Sequence, residues 1–347
     1  MLKDVACSDE PRLAVYRIFK LECAKGPFIG AFLLARKPAL LYCRLSGVIV
    51  YVRASGLRKL QIELVNLCNY RCPLCRTLLD DHVVRRRMTL TELDQVITPL
   101  RRQLENVTLY GTRGEPLLHP DLAKAVVLIK AKTSAAVDIS TNGSLLTEDR
   151  ARALLESRVD RIIFAIDGLS QESYSAYRVG GKLDTVLENL RALTELKRDG
   201  GYSTKVILQL IPMLTNEAEI SDLPRLAGEL GVDQVRLKYS ASVSRSKKFR
   251  PQHTLNRTVD KESFECPFGT DKLYVDPNGD CYPCCYGEGH QEMLLGNALQ
   301  TDIREIWNRA LATQIRASFH GDANHHSFCL QKCKSRPPRI KQRLPIL

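Results

Sequence analysis

Cys68-Asn-Tyr-Arg-Cys72-Pro-Leu-Cys75 puts three thiols on one short loop, spaced C-x3-C-x2-C. Thiolates at such spacing are metal ligands, and three are one short of the four that close a structural site. A four-iron cluster on this loop would keep one iron open, and an open iron can bind and activate a second molecule. A zinc knuckle and an apolar cluster of free thiols are the competing readings of the same residues.

Other residues with chemical reach sit at turns. Gly111 and Gly114 let backbone approach a ligand closely, and Glu115 after them is either a base or an anchor for its own loop. Ser140 and Asn142 can hydrogen-bond a ribose or a carboxylate, or simply cap the Asn142-Gly143 turn. Asp167-Gly168 is another such turn. Six more cysteines lie between Cys266 and Cys333. Of these, Cys281, Cys284, Cys329 and Cys333 could make a zinc site.

Elements must bring these residues together. Short β-rich runs at 61–65, 107–110, 137–140, 161–166, 205–211 and 234–239 alternate with helical patterns. The clearest helix covers 184–197, with Val186, Leu187, Leu190, Leu193 and Leu196 on one face. A second is expected over 219–230, closing on Gly231. Six β-then-α units in a row demand an α/β fold whose parallel sheet has right-handed crossovers. Six are too few for a closed eight-stranded barrel, so a partial barrel or an open sheet is expected. Either way chemistry gathers at the carboxyl ends of the strands. Cys68, Gly114-Glu115, Asn142 and Asp167 all lie just past a strand and would share one rim.

The chain has 347 residues and a formal charge of +12. Its basic stretches, 85–87, 245–250 and 332–343, would serve nucleic acid, anionic lipid or a phosphorylated substrate, or stand as solvated faces. No basic surface is interleaved with stacking aromatics, so nucleic acid is not expected. Clustered cysteines and a charged start argue for a reducing cytoplasm over a secreted disulfide framework. Residues 27–52 are apolar but broken by Arg36, Lys37, Pro38 and Arg44. They fall short of the ~18–20 uninterrupted apolar residues of a spanning helix. They either pack across a core or lie in a membrane interface, giving the protein a peripheral membrane contact. The organisation expected is an apolar and basic segment at 1–58, an α/β unit at 59–240 and a polar linker at 241–262. A cysteine-rich module at 263–335 and a poorly packed basic tail at 336–347 complete it.

The Cys68–Cys75 triplet, Gly114-Glu115-Pro116, the Ser-Thr-Asn-Gly at 140–143, Ile166-Asp167-Gly168 and the stretch 172–178 together resemble the radical S-adenosylmethionine (SAM) superfamily. The resemblance covers about residues 60–335 and implies a partial (β/α)6 barrel. It implies that Cys68, Cys72 and Cys75 hold a [4Fe–4S] cluster whose open iron takes the amino and carboxylate groups of SAM. Gly114, Glu115, Ser140, Asn142 and Asp167 would bind that cofactor. Reductive cleavage would give methionine and a 5′-deoxyadenosyl radical, which removes a hydrogen atom from substrate. Two positions depart from the pattern: Arg113 replaces the first of the paired glycines before the Glu, and Leu74 replaces a frequent aromatic.

Cys266-x12-Gly279-x4-Cys284, Gly296-Asn297, Ile306-Trp307-Asn308 and Cys329-x3-Cys333 resemble the SPASM/twitch class of C-terminal modules. That implies one auxiliary [4Fe–4S] cluster on Cys266, Cys284, Cys329 and Cys333, although the closing pair is more usually C-x2-C. Cys281 and Cys285 are left over, either as hydrogen donors or as thiols buried beside the cluster. An auxiliary cluster that relays electrons suits oxidation, whereas a thiol that returns a hydrogen atom suits epimerisation. A flavodoxin or ferredoxin would supply reducing electrons. Residues 1–58 are shorter and more apolar than the peptide-recognition domain of peptide-modifying relatives. A small-molecule substrate is therefore expected: a sugar, an aminocyclitol, or a nucleotide- or lipid-linked intermediate, anionic in some of these cases. A maturase of a ribosomally made peptide and a non-catalytic iron–sulfur electron carrier are the alternatives.

Overall fold

The computed structural model describes residues 56–76, 85–238, 240–252 and 271–317, with the strand backbones at 40–45, 48–53 and 343–344. Strands β1 (Leu40–Leu45) and β2 (Val48–Arg53) pair antiparallel in a sheet of their own. The main sheet is built from β3 (Lys59–Ile62), β4 (Asn106–Leu109), β5 (Ala136–Thr141), β6 (Arg161–Ala165), β7 (Lys205–Leu210) and β8 (Gln234–Leu237). Each is parallel to the next, as the six expected runs require. Between them run α1 (Leu90–Ile97), α2 (Leu122–Lys132), α3 (Glu148–Glu156), α4 (Gln171–Tyr177), α5 (Leu183–Asp199) and α6 (Leu223–Glu229). This is the partial (β/α)6 barrel. β6 and β7 are buried over most of their length, as expected where both faces of a sheet are covered, β7 from Val206 to Leu210 with Gln209 its one buried polar side chain.

Local chemistry sets the helix ends. Thr89 and Glu92 form a reciprocal capping box at the start of α1. Helix α5 buries Val186, Leu190 and Leu193, with Leu187 and Leu196 at the margin of the same core. The helix expected over 219–230 divides. A 3-10 turn covers Glu217–Asp222, and α6 begins only at Leu223 with a proline in its first turn. Pro224 lacks an N–H and fits where no intrahelical donor is needed, so it restarts the helix. Gly231 then takes φ +66° just past the end, as a glycine cap should.

The presumed linker is partly structured. Residues Ala241–Arg245 form α7, and Phe249 is buried edge-on against Tyr177, ring centroids 5.5 Å apart. Beyond the barrel, β9 (Lys272–Val275) lies parallel to β3, and the Asp276–Gly279 turn leads into β10 (Asp280–Tyr282). β11 (Gly296–Asn297) follows, then α8 (Ile303–Asn308) and α9 (Ala310–Ala317). The tail, expected to be poorly packed, places β12 (Arg343–Leu344) antiparallel on β8. Among the described residues one sheet thus runs β11-β10-β9-β3-β4-β5-β6-β7-β8-β12. No helix among them is long and apolar enough to cross a membrane. Most of residues 27–52 lies outside the description.

Candidate active site

Parallel register levels the strand ends: Ile62 pairs with Leu109 and Leu210 with Leu237, so the loops that follow share one rim. The rim surrounds a cleft with about 1160 Å³ of empty space, its open mouth included. The first half of the barrel lends it Cys68, Cys72, Cys75, Gly114, Ser140 and Asn142. The second half lends Gln209, Lys238 and Ser240, and the C-terminal module adds Cys285 and Tyr286.

The cysteine loop is held on both sides. Arg71 N donates to Val179 O at 3.0 Å, and the Tyr70 and Tyr174 hydroxyls meet at 3.2 Å. Asn69 Nδ2 donates to Ser144 Oγ at 2.9 Å. Cys68 Sγ accepts from Tyr70 N at 3.4 Å, and Arg178 Nη1 stands 3.9 Å from Cys72 Sγ. Burial pushes the Cys68 thiol up to about 12 and raises Cys72 as well. Buried thiols of this kind ionise only beside a compensating cation, which the irons of a cluster provide. Among the described residues no three Cys, His, Asp or Glu gather tightly enough for a single metal ion. A donor set of three thiols on one loop suits a [4Fe–4S] cluster that keeps one iron open. Cys284 follows β10, half-buried, while Cys266, Cys329 and Cys333 lie outside the described residues.

Glu115 is an anchor. Its carboxylate accepts from Leu117 N at 3.1 Å, from Asn142 N at 2.8 Å and from the Thr141 hydroxyl, tying the loop after β4 to the loop after β5. Burial still raises its pKa. Gly111 and Gly114 line the cleft, and the side on which each would carry a Cβ is filled by protein. A Cβ on Gly114 would fall 1.6 Å from Val65 O, and one on Gly111 would fall 2.6 Å from Glu63 Oε1. Asn142 lines the cleft while its side chain bonds Asn69 and Ser144. Asp167, expected at the cofactor, does not line the cleft. Its carboxylate accepts from Ile211 N at 2.8 Å and pairs with Arg178 at 2.6 Å, because a buried guanidinium beside the thiols needs a counter-charge. Cys281 is likewise outside the cleft. It is fully buried in β10 with Sγ donating to Gly279 O at 3.5 Å, and burial raises its thiol. Cys285 does line the cleft, and its thiol is also raised by burial. Arg86 is structural: it pairs with Glu92 and donates to Pro277 O at 2.7 Å.

Sequence reasoning missed Glu63. Its Oε1 accepts from Arg113 N at 2.7 Å and Gly114 N at 2.8 Å, and its Oε2 accepts from Tyr274 OH at 2.6 Å. Burial, then the charge of Glu288, pushes it up to about 8. Arg113, the departure from the glycine pair, has its guanidinium 2.8 Å from Glu288, both side chains 4% exposed. A lone Glu closing an apolar strand was the only cue to this network.

Known proteins share these features. Residues 62–223 match the family model described as the radical SAM superfamily, and residues 266–334 match that of an iron–sulfur cluster-binding domain, SPASM. A probable GTP 3′,8-cyclase of Methanococcus maripaludis is 26% identical over 40% of this chain and 46% of its own length. The PqqA peptide cyclase of Streptomyces rochei is 25% identical over 71% of this chain and 74% of its own. The chain thus spans about half the length of some curated relatives it matches, and more of others. Two structures of Streptococcus suis SuiB share the fold. The one bound to SAM has a TM-score of 0.62 at 16% identity, covering 82% of this chain and 71% of SuiB. The one bound to the precursor peptide SuiA has a TM-score of 0.63 at 15% identity, covering 80% and 70%. With its cysteine-bearing rim on a partial barrel and a cysteine-rich module continuing the sheet, the chain carries a radical SAM domain at residues 62–223, whose cofactors are SAM and a [4Fe–4S] cluster, and a SPASM iron–sulfur domain at residues 266–334.

Proposed function

We propose that this protein removes a hydrogen atom from a small-molecule substrate in the cleft, with oxidation or epimerisation as the outcome. The observation that carries the reading is the meeting of Cys68, Cys72 and Cys75 with Gly114, Ser140 and Asn142 in a cleft that Cys285 also lines. The three thiols would hold the [4Fe–4S] cluster, and Gly114, Glu115, Ser140 and Asn142 would border SAM. When bound, cluster and SAM supply a 5′-deoxyadenosyl radical. The chain's own residues set its surroundings. Tyr70 N and Arg178 offset thiolate charge at Cys68 and Cys72, and Glu115 fixes the spacing of the two cofactor loops. Leu74, Ala165 and Ile211 keep that part of the cleft apolar.

Epimerisation assigns Cys285 a step. Its S–H bond breaks as a C–H bond forms at the substrate radical. The sulfur then takes one electron from a flavodoxin- or ferredoxin-type donor and one proton from solvent. In deuterated water, wild type would leave deuterium at the inverted carbon, and Cys285→Ala would lose that label while still forming 5′-deoxyadenosine. An auxiliary cluster on Cys266, Cys284, Cys329 and Cys333 remains part of the proposal.

The test is 5′-deoxyadenosine formation by anaerobically reconstituted protein with dithionite and SAM. Wild type is expected to make it, and Cys68→Ala, Cys72→Ala and Cys75→Ala to make none. Neither product nor SAM binding by iron-loaded wild type would overturn the reading in favour of an electron carrier. A second reading, maturation of a ribosomally made peptide, draws support from the likeness to PqqA peptide cyclase across 71% of the chain. Deuterium transfer from a peptide rather than a sugar into 5′-deoxyadenosine would select it.

A further inference from the structure

Lys238 follows β8 and lines the cleft, its ammonium over the Tyr110 ring at 4.9 Å from the centroid. No carboxylate pairs with it among the described residues. The groups that most favour its charged form are the Cys285 thiol and then Asp167, which Arg178 and Ile211 N already engage. The Cys285 thiol favours the charged form of Lys272, on β9, as well. Partial burial lowers the Lys238 pKa, as expected for a half-buried ammonium without a carboxylate partner. The Tyr110 ring offsets only part of that cost.

The other cations on the cleft are occupied. Arg113 is held by Glu288, Arg178 by Asp167, and Arg76 by the carbonyls of Cys285 and Tyr286. Glu115 is the one carboxylate on the lining among the described residues, and its oxygens hold loop donors. The same lining includes Gln209, Ser240 and Ser242, neutral groups able to donate, the two serines within four residues of Lys238 in the chain. The cleft is therefore cationic at this point and built to complete an anion's hydrogen bonds.

We propose that Lys238 is the centre of a subsite for an anionic group of the substrate, a carboxylate or a phosphate. This rests on the reading of the cleft as a radical SAM active site. The same chemistry has a second source, the carboxylate of SAM, and the test separates the two.

Isothermal titration calorimetry on the anaerobic, iron-loaded protein would use inorganic phosphate and malonate, each with and without saturating SAM, and glycerol as the neutral control. Expected is saturable binding of phosphate or malonate, with SAM present, weakened about tenfold or more by Lys238→Met. Lys238→Arg should retain most of it, and Arg85→Ala, at an exposed position, should leave it unchanged. Lys238→Gln replaces the Met variant if circular dichroism shows the latter misfolded. Anion binding that SAM abolishes would assign Lys238 to the cofactor and overturn the substrate subsite. No binding of either anion, or binding that Lys238→Met leaves unchanged, would overturn it altogether. In that last case SAM binding and 5′-deoxyadenosine formation by wild type would still stand, so the two failures are distinguishable.

Discussion

Glu63 and Glu115 are both buried carboxylates beside the cofactor loops, yet their surroundings separate them. Glu115 holds local donors on two neighbouring loops, whereas Glu63 reaches Tyr274, 211 residues away, and feels Glu288. Glu63 has its folded pKa at about 8, above the ordinary 4.5, so its ionisation opposes folding. The stability it permits is full below about pH 4.5, declines as pH rises, and is lost above about 8. Glu63→Gln should flatten that decline, read as urea midpoints of the anaerobic protein at pH 5 to 8. Equal slopes in the two proteins would refute the assignment. The cysteine trio was legible in the sequence because ligand spacing on one loop is local information. The surroundings of Asp167 were not legible for the opposite reason: its partner Arg178 lies across a turn and a helix, and spacing alone does not say which way a carboxylate points.

The loop after β4 depends on contacts that a side chain would block. Gly114→Ala must displace the loop from Val65 O, and it should weaken SAM binding in a filter or calorimetric assay while circular dichroism stays near wild type. Unchanged affinity would mean that the loop does not set the cofactor's position. Arg113 binds that loop to the C-terminal module through Glu288. Arg113→Met or Glu288→Gln alone is expected to cost about 3–5 kcal/mol, since each strands or removes one partner of a buried pair. The double variant should lose clearly less than the sum, and additivity in a double-mutant cycle of unfolding would argue that the pair is uncoupled. At the α1 start, Thr89→Ala should cost about 1 kcal/mol through the lost cap. Element types and strand ends were readable from periodicity. The break at Pro224 was not, because an amphipathic pattern continues across residues whose backbone cannot.

Among the described residues one sheet knits the barrel to the C-terminal module, with β9 hydrogen-bonded along β3 and Tyr274 reaching Glu63. The sequence suggested a separate module behind a linker, since a strand's partner cannot be read from its own residues. Removal of residues 253–347 should therefore leave an open β3 edge and Glu63 Oε2 without its Tyr274 donor. The truncated chain is expected to aggregate or to bind a hydrophobic dye, and a soluble, cooperatively unfolding barrel would contradict that.

The pairing of β3 with β9 also has a consequence for biogenesis. Tyr274 leaves the ribosome 211 residues after Glu63. At ~5–20 residues per second, the strand that leads into the cysteine loop waits about 10–40 s for its outer neighbour. During that interval the nascent barrel lacks the strand that covers its β3 edge, and Cys68, Cys72 and Cys75 do not yet share a cleft with Cys285 and Tyr286. Iron–sulfur delivery before release of the chain would meet the cysteine loop without the far wall of its cleft, and delivery afterwards would meet the finished one.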